Sequence, residues 1–222
     1  RIAIVDGEIV GHLRVWDRRL AIRGDTITAG GIGILLTHPE HRGRGIASGL
    51  LADAEKYFKE VDYDIGLLFS IIGTPFYESR GWTPIPITTF EIDVSAADCS
   101  EVATRTLNIQ DDLEAVRRMH ASCSSEYTGT EIRDAAYWST GPARHRSVFP
   151  EVGIERDGEL CGYINWDVVN GSPWIVECCA TSNDVYEDLA AIVINASDNI
   201  SSASLLGSLP RDHALVHALE EL

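Results

Sequence analysis

The sequence predicts an α/β (α+β) protein made of two tandem domains of one fold. Three observations lead there. A hairpin signature occurs twice, 151 residues apart: Asp6-Gly7-Glu8-Ile9-Val10-Gly11-His12-Leu13 recurs as Asp157-Gly158-Glu159-Leu160-Cys161-Gly162-Tyr163-Ile164. Each copy is an Asp-Gly turn between two alternating strands, and Trp16 and Trp166 follow at nearly matching offsets. An extended apolar run, Ile32-Gly33-Ile34-Leu35-Leu36, feeds a turn with Arg42, Gly43, Arg44 and Gly45, after which a helix begins. Strand and helix patterns then alternate through both halves. Common descent of the halves accounts for the identical turn followed by the same apolar-apolar-Gly-x-apolar pattern.

Residues 1–95 are read as the first domain and 96–222 as the second, joined near Val94 to Ala103. In the helix after the turn, Ile46, Leu50, Ala54, Tyr57 and Phe58 share one stripe, while Asp53, Glu55, Lys56 and Lys59 fall mostly elsewhere; the stripe is core. Ile65-Gly66-Leu67-Leu68-Phe69 reads as the next strand. The second half opens with a strand (Arg105 to Ile109). A helix starting at Asp111 and Asp112 ahead of Leu113, Val116 and Met119 follows, and then a second helix from Thr130 to Ser139. The repeated hairpin and the strand Trp174-Ile175-Val176-Glu177-Cys178-Cys179 come next. Nothing equivalent to the opening strand and two helices precedes Arg1, so the first domain is expected to be incomplete at its N-terminus.

A net charge of −16 argues against a nucleic-acid backbone or an anionic membrane as partner. No run of about 18 apolar residues predicts a transmembrane helix. Residues 1–95 carry 10 basic and 13 acidic side chains; residues 96–222 carry 8 and 21. The acidic half either attracts a cationic substrate or is simply a solvated surface. The five cysteines, Cys99, Cys123, Cys161, Cys178 and Cys179, lack C-x-x-C spacing, which argues against a structural disulfide or zinc site and fits a cytoplasmic location. Strand alternation sends Cys178 and Cys179 to opposite faces as buried thiols. His12, His41, His120, His145, His213 and His217 show no ligand spacing, and no metal is expected.

The segment Thr37-His38-Pro39-Glu40-His41-Arg42-Gly43-Arg44-Gly45-Ile46-Ala47 carries the chemistry. A glycine-rich turn between strand and helix leaves the first helical N–H groups unpaired, and with the positive end of the helix dipole they suit a phosphate or pyrophosphate. Arg42 and Arg44 add planar cationic forks. Positive charge at a helix N-terminus is itself unfavourable, which favours an anionic partner. A Walker loop is excluded, since neither Lys56 nor Lys59 follows a glycine, and the spacing Arg42-x-x-Gly45-x-Ala47 is not G-x-G-x-x-G.

This R/Q-x-x-G-x-G/A pattern resembles the acyl-CoA pyrophosphate loop of the GCN5-related N-acetyltransferases (GNAT superfamily). Pro75-Phe76-Tyr77-Glu78-Ser79-Arg80-Gly81-Trp82 is similar to that family's F-Y-x-x-x-G-F/W segment, and the resemblance covers roughly residues 1 to 95. It implies mixed, mostly antiparallel sheets flanked by helices, acetyl-CoA or a related acyl-CoA as cofactor, and acyl transfer to an amine. The cofactor site would comprise Leu36 and Thr37, pairing through their backbone with the pantetheine arm, together with Arg42, Gly43, Arg44, Gly45, Ile46 and Ala47. Neighbouring strands in this family splay apart to admit the cofactor.

By the same resemblance, Tyr77 would protonate the departing thiolate; as a plain helix residue it would pack beside Phe76. The strand before the loop carries no acid, and His38 is the nearby group with a suitable intrinsic pKa. The second half departs where chemistry would occur: Ala180-Thr181-Ser182-Asn183-Asp184-Val185-Tyr186-Glu187-Asp188 holds neither glycine nor arginine, and like charge there opposes phosphate. A tandem pair with one loop kept and one lost resembles the enhanced-intracellular-survival (Eis-like) acetyltransferases. Those continue into a sterol-carrier-like third domain whose C-terminal carboxylate serves as base. The implied function is acetyl transfer from acetyl-CoA to a primary amine of a cationic acceptor, whether small molecule or protein, and a homo-oligomer is compatible with it. A non-catalytic acyl-CoA sensor or scaffold, or a purely structural tandem domain, would share much of this pattern.

Overall fold

The computed structural model describes the chain except for Ile71, Asp98, Ala135, Ala136 and residues 139–148. In chain order the described elements begin with β1 (Ile2–Val5), β2 (Glu8–Ile22), β3 (Asp25–Thr37), α1 (Ile46–Glu60), β4 (Ile65–Leu68) and α2 (Pro75–Glu78). Then come β5 (Phe90–Asp93), β6 (Arg105–Thr106), α3 (Ile109–Ser124), β7 (Thr130–Glu131), β8 (Val152–Arg156), β9 (Glu159–Val169) and β10 (Ser172–Ala180). The last are α4 (Asn183–Asn199), β11 (Ser204–Gly207) and α5 (Ala214–Glu221). The strands form two mixed sheets flanked by helices, one in each of two compact units: residues 1–84 with 127–132, and residues 85–126 with 133–222.

In the first unit β1, β2 and β3 run antiparallel, and β4 returns parallel to β3 after the crossover through α1. Asp6 and Gly7 both lie at positive φ (50° and 87°), as do Asp157 and Gly158 (52° and 81°) in the second unit. These are the two-residue turns whose twist matches that of the strands they join. The second unit repeats the plan. β8, β9 and β10 are antiparallel, α4 crosses over, and β11 lies parallel to β10 in a sheet ordered β5-β11-β10-β9-β8-β6.

Three stretches differ from the sequence reading. β5 pairs with β11, so residues 90–93 build the second sheet, whereas the reading drew its line at residue 95. Thr130–Glu131 is a strand paired with Leu20 and Ala21 of β2, not the start of a helix. The cause is the length of β2, whose 15 residues run past four-residue β1 and leave an edge with ladder groups to satisfy. Within the remainder of that expected helix, Ala135, Ala136 and Ser139 lie outside the described residues. Finally, α3 starts earlier than Asp111. Asn108 is its N-cap, its Oδ1 accepting from the N–H groups of Gln110 and Asp111 (3.1 and 3.0 Å), and β6 is correspondingly short.

Each helix after the central strand rests on a glycine of the repeated hairpin. A Cβ on Gly11 would lie 2.9 Å from Ile46 and 3.2 Å from Leu50 of α1; one on Gly162 would lie 2.6 Å from Val185 and 3.5 Å from Leu189 of α4. The third residue after Asp-Gly-Glu is thus fixed by helix-to-sheet distance, which is why the motif recurs. Cys178 and Cys179 are both buried and enter different apolar clusters, as alternation requires.

The second core also encloses two histidines. His213 is 4% exposed and caps α5, its Nδ1 accepting from the Leu215 N–H at 3.2 Å. Burial pulls its pKa, like that of His120, down to about 4. An unfolded histidine titrates near 6.5. As pH falls from there toward 4 the unfolded chain binds protons that the folded chain refuses, so stability declines across that window and is full above it. Thermal unfolding at about pH 7.5 and about pH 4.5 should therefore show a lower Tm in acid. His213→Asn, which keeps an acceptor at the cap and removes the titration, should narrow the gap.

Candidate functional site

The site begins where β3 leaves its neighbour. β3 pairs with β4 from Ala29↔Ile65 to Ile32↔Leu68 and no further, while β3 itself continues to Thr37. On its other side it stays paired with β2, Leu36 opposite His12 and Thr37 opposite Gly11. The side of residues 33–37 that faces away from β2 is therefore an open strand edge, the splay that an inserted ligand strand needs. A β-bulge interrupts the β2–β3 ladder between His12 and Arg14. On β3 it centres on Ile34, whose φ of 53° is unusual for a β-branched residue. A bulge leaves its extra residue unpaired and bends the strand.

Thr37 ends the strand, and a short 3-10 turn, Pro39–His41, leads to the loop. Gly43 and Gly45 lie at φ 73° and 78°, and Gly45 is the N-cap of α1, with no side-chain cap and no acid in the first turn. The N–H groups from Gly43 to Ser48 have no backbone acceptor among the described residues. Thr37, His41, Arg42, Gly45, Ser48 and Arg80 line a cleft of about 390 Å³ around these donors. Thr37 Oγ1 and His41 Nδ1 are buried there without a hydrogen-bond partner among the described residues, so two polar groups at the cleft are left for something else to satisfy.

Arg80 is the member of this group that sequence reading missed. Its Nε and Nη2 donate to Ser48 Oγ (3.1 and 2.6 Å), its Nη1 donates to the Phe76 carbonyl, and its guanidinium stacks on the Phe76 ring at 3.9 Å. The segment that holds the candidate acid thus also brings a cation to the loop that carries Arg42 and Arg44. Only the spacing Phe76-x-x-x-Arg80, one helical turn, could have signalled it.

The remaining expected residues divide by position. Arg42 and Arg44 are exposed at the loop, with Arg42 Nε 3.4 Å from the Thr37 carbonyl. Ile46 packs into the core under the loop, and Ala47 lines the cleft. Tyr77 packs edge-on against Phe76 and Trp82 (5.0 and 6.5 Å between ring centroids). Its hydroxyl makes no hydrogen bond among the described residues and is not sealed from solvent. His38 is exposed at the loop end of β3, edge-on to His41 at 5.9 Å. It stands about 13 Å along the strand from the bulge end, four to five strand steps away.

The corresponding place in the second unit is built differently. Ser182 caps α4, and Asp184 in the first turn is held ionised, with a pKa near 2, by Ser182 and by Arg156. Arg156 also bridges Asp188 at 2.7 Å. An arginine from β8 therefore offsets the carboxylates that looked unopposed in sequence, and the helix end is complemented by an anion of its own chain. Deeper in this unit, Glu177 accepts from Arg133 (2.5 and 3.1 Å) and from Tyr163 (2.9 Å), a buried cluster whose charges are internally paired.

Residues 1–85 match the family described as the acetyltransferase (GNAT) domain. The match covers the first unit, and the fold of the chain resembles that of GNAT acetyltransferases, the Eis-like enzymes among them. The whole chain is similar in structure to a GCN5-related N-acetyltransferase from Anabaena variabilis (TM-score 0.73, 15% identity, covering 97% of this chain and 57% of that one). It is also similar to a probable N-acyltransferase of unknown function from Enterococcus faecalis (0.70, 18%, 92% and 53%). A third likeness is to Eis1 from Mycobacterium abscessus (0.65, 16%, 97% and 57%). The chain thus spans little more than half the length of each of these structures. No curated protein matches it in sequence.

The strained bulge is open to a direct measurement. A left-handed backbone costs an ordinary residue about 1–2 kcal/mol, and glycine escapes that cost but loses more entropy on folding. Ile34 is 56% exposed, so little packing is lost on truncation. Ile34→Gly should raise unfolding stability by up to about 1 kcal/mol, read from the urea midpoint at unchanged m-value.

Proposed function

We propose that the chain is an acyl-CoA-dependent N-acyltransferase with one cofactor site, in its first unit. The observation that carries this reading is the cleft at the start of α1. Unpaired N–H groups from Gly43 to Ser48, the Arg42 and Arg80 side chains and two unpartnered buried polar atoms converge at the end of a strand whose outer edge is open. The pyrophosphate of CoA satisfies these donors. From there the pantetheine arm lies along residues 37 to 33 of β3, Leu36 and Thr37 included, and brings the thioester to the bulge.

In the transfer, acetyl being the reference acyl group, a neutral primary amine attacks the thioester carbonyl carbon. The C–N bond forms, the C–S bond breaks, the nitrogen gives its surplus proton to solvent, the departing thiolate takes one from the Tyr77 hydroxyl, and the tyrosinate regains a proton from solvent. The unpaired backbone of the bulge faces the carbonyl oxygen as negative charge develops. Orientation along the strand edge supplies much of the rate. The excess acid of residues 96–222 favours a cationic acceptor. His38, at the loop end of β3, is not assigned a step.

Two experiments test this. Calorimetry should give one equivalent of CoA per chain, and Gly45→Glu, which places bulk and negative charge among the donors, should abolish the signal. Unaltered affinity in that variant, or two equivalents per chain, would defeat the assignment. Tyr77→Phe should lower kcat about 10²-fold in a thiol-release assay with an amine panel, within the range for general acids, and leave CoA affinity unchanged. Binding without thiol release for any amine would instead favour the non-catalytic acyl-CoA sensor.

A further inference from the structure

Beyond the point where β3 and β4 come together, the first unit has a second cavity that the reaction as described does not use. It occupies about 450 Å³ on the sheet face opposite α1. Gly31 and Gly33 lie along its floor and let Trp16 and Arg18 pack down onto the strand: a Cβ on Gly31 would lie 3.3 Å from Arg18 and 3.4 Å from Trp16, and one on Gly33 2.8 Å from the Trp16 indole nitrogen. Trp16, Leu20, Leu68 and Phe69 make its apolar walls. Phe69, at 78% exposure, stands at the mouth.

Its position and its charges select the occupant. Gly33 and Leu68 belong both to this cavity and to the point where the strands diverge. A group carried on a thioester delivered along residues 37 to 33 would therefore enter the cavity directly. The charged groups at its wall, Arg18 and Glu131, are paired with each other at 2.9 Å, and the Arg18 guanidinium lies 5.1 Å from the Trp16 ring. The lining carboxylate of Glu131 is thus already engaged by a guanidinium, which leaves an ammonium little to gain, whereas a hydrocarbon chain meets indole, phenyl and leucine. An acetyl methyl, about the size of a water molecule, fills a small part of such a space (a water's share of liquid volume is about 30 Å³).

We infer that the preferred acyl donor carries an unbranched chain longer than acetyl, whose tail lies in this cavity. The inference rests on the CoA reading above and names the acyl group that site would transfer. The bonds broken and formed are the same, C–S and C–N, and the cavity holds only the part of the acyl group that does not react.

Burial of each methylene is worth roughly a fourfold gain in affinity, so four added methylenes should show clearly even if partly buried. Calorimetry without an amine would compare CoA, acetyl-CoA and hexanoyl-CoA on the full chain and on Phe69→Asp. That substitution is at an exposed residue and puts a carboxylate at the cavity mouth. Hexanoyl-CoA should bind the parent at least tenfold more tightly than acetyl-CoA. Phe69→Asp should lose most of that gain and keep its affinity for CoA. Equal affinities for the two thioesters, or a gain that survives Phe69→Asp, would overturn the inference while leaving the CoA site standing. Failure of all three ligands to bind the parent would overturn the CoA reading itself.

Discussion

The geometry of the first unit depends on one side chain lying flat against the backbone of two strands. Phe58, near the end of α1, covers Gly30 of β3 and Gly66 of β4; Cβ atoms there would approach its ring to 2.4 and 3.2 Å. The ring is 6% exposed and gains about 1.5–3 kcal/mol from burial. That gain is available only because neither strand offers a side chain at the contact. At the other end of the helix Ile46 and Leu50 rest on Gly11 in the same way. Contacts at both ends fix the helix axis over the sheet, and with it the point at which six amide N–H groups emerge. A loop of two glycines could adopt many conformations; it is the docked helix that leaves those amides aimed outward at the end of β3.

The two units complete a helix N-terminus in different ways. Both helices follow the central antiparallel strand of their sheet and rest on the equivalent glycine, so their starts occupy the same place in the plan. At α4 the chain supplies its own anion, Asp184, and a cation, Arg156, to steady it. At α1 no acid lies in the first turn and two arginines, Arg42 and Arg80, line the cleft instead, an arrangement that is unfavourable with the helix dipole alone. A negative group from outside reverses that sign. The difference between the units is thus electrostatic as well as steric: one end is self-neutralised, and the other is left positive.

Local patterns carried much of this into the sequence. The Asp-Gly hairpins, the loop and α1, the strand at Ile65 and the opposed burial of Cys178 and Cys179 all follow from turn chemistry and periodicity, which act over a few residues. Features that failed to show depend on partners far along the chain. Thr130 and Glu131 read as helix because their neighbours are helical in pattern, and only the unfinished edge of β2 makes them a strand. Arg156 was invisible as the counter-ion of Asp184 because it comes from another strand. Gly30, Gly31 and Gly33 sat inside an apolar run and passed as ordinary strand residues. A glycine in a strand interior signals close approach, but the sequence does not say that Phe58 lies opposite Gly30 and Trp16 opposite Gly31 and Gly33.

This reliance on backbone also explains how the fold persists at 15–18% identity to solved structures with TM-scores of 0.65–0.73. A pyrophosphate held by N–H groups asks of the sequence chiefly that certain side chains be absent. A strand edge that pairs with an extended arm asks only that a neighbour stop short, as β4 does at Leu68. Neither demand names a residue type beyond glycine, so most positions around the site are free to change. The exceptions are side chains whose atoms would meet the ligand, Tyr77 and Arg80 in the short segment after β4, and those that shape the cavity at Trp16 and Phe69. Differences among related chains in the acyl group carried and the amine accepted should therefore concentrate at such positions, while the glycines under the helix stay fixed by distance.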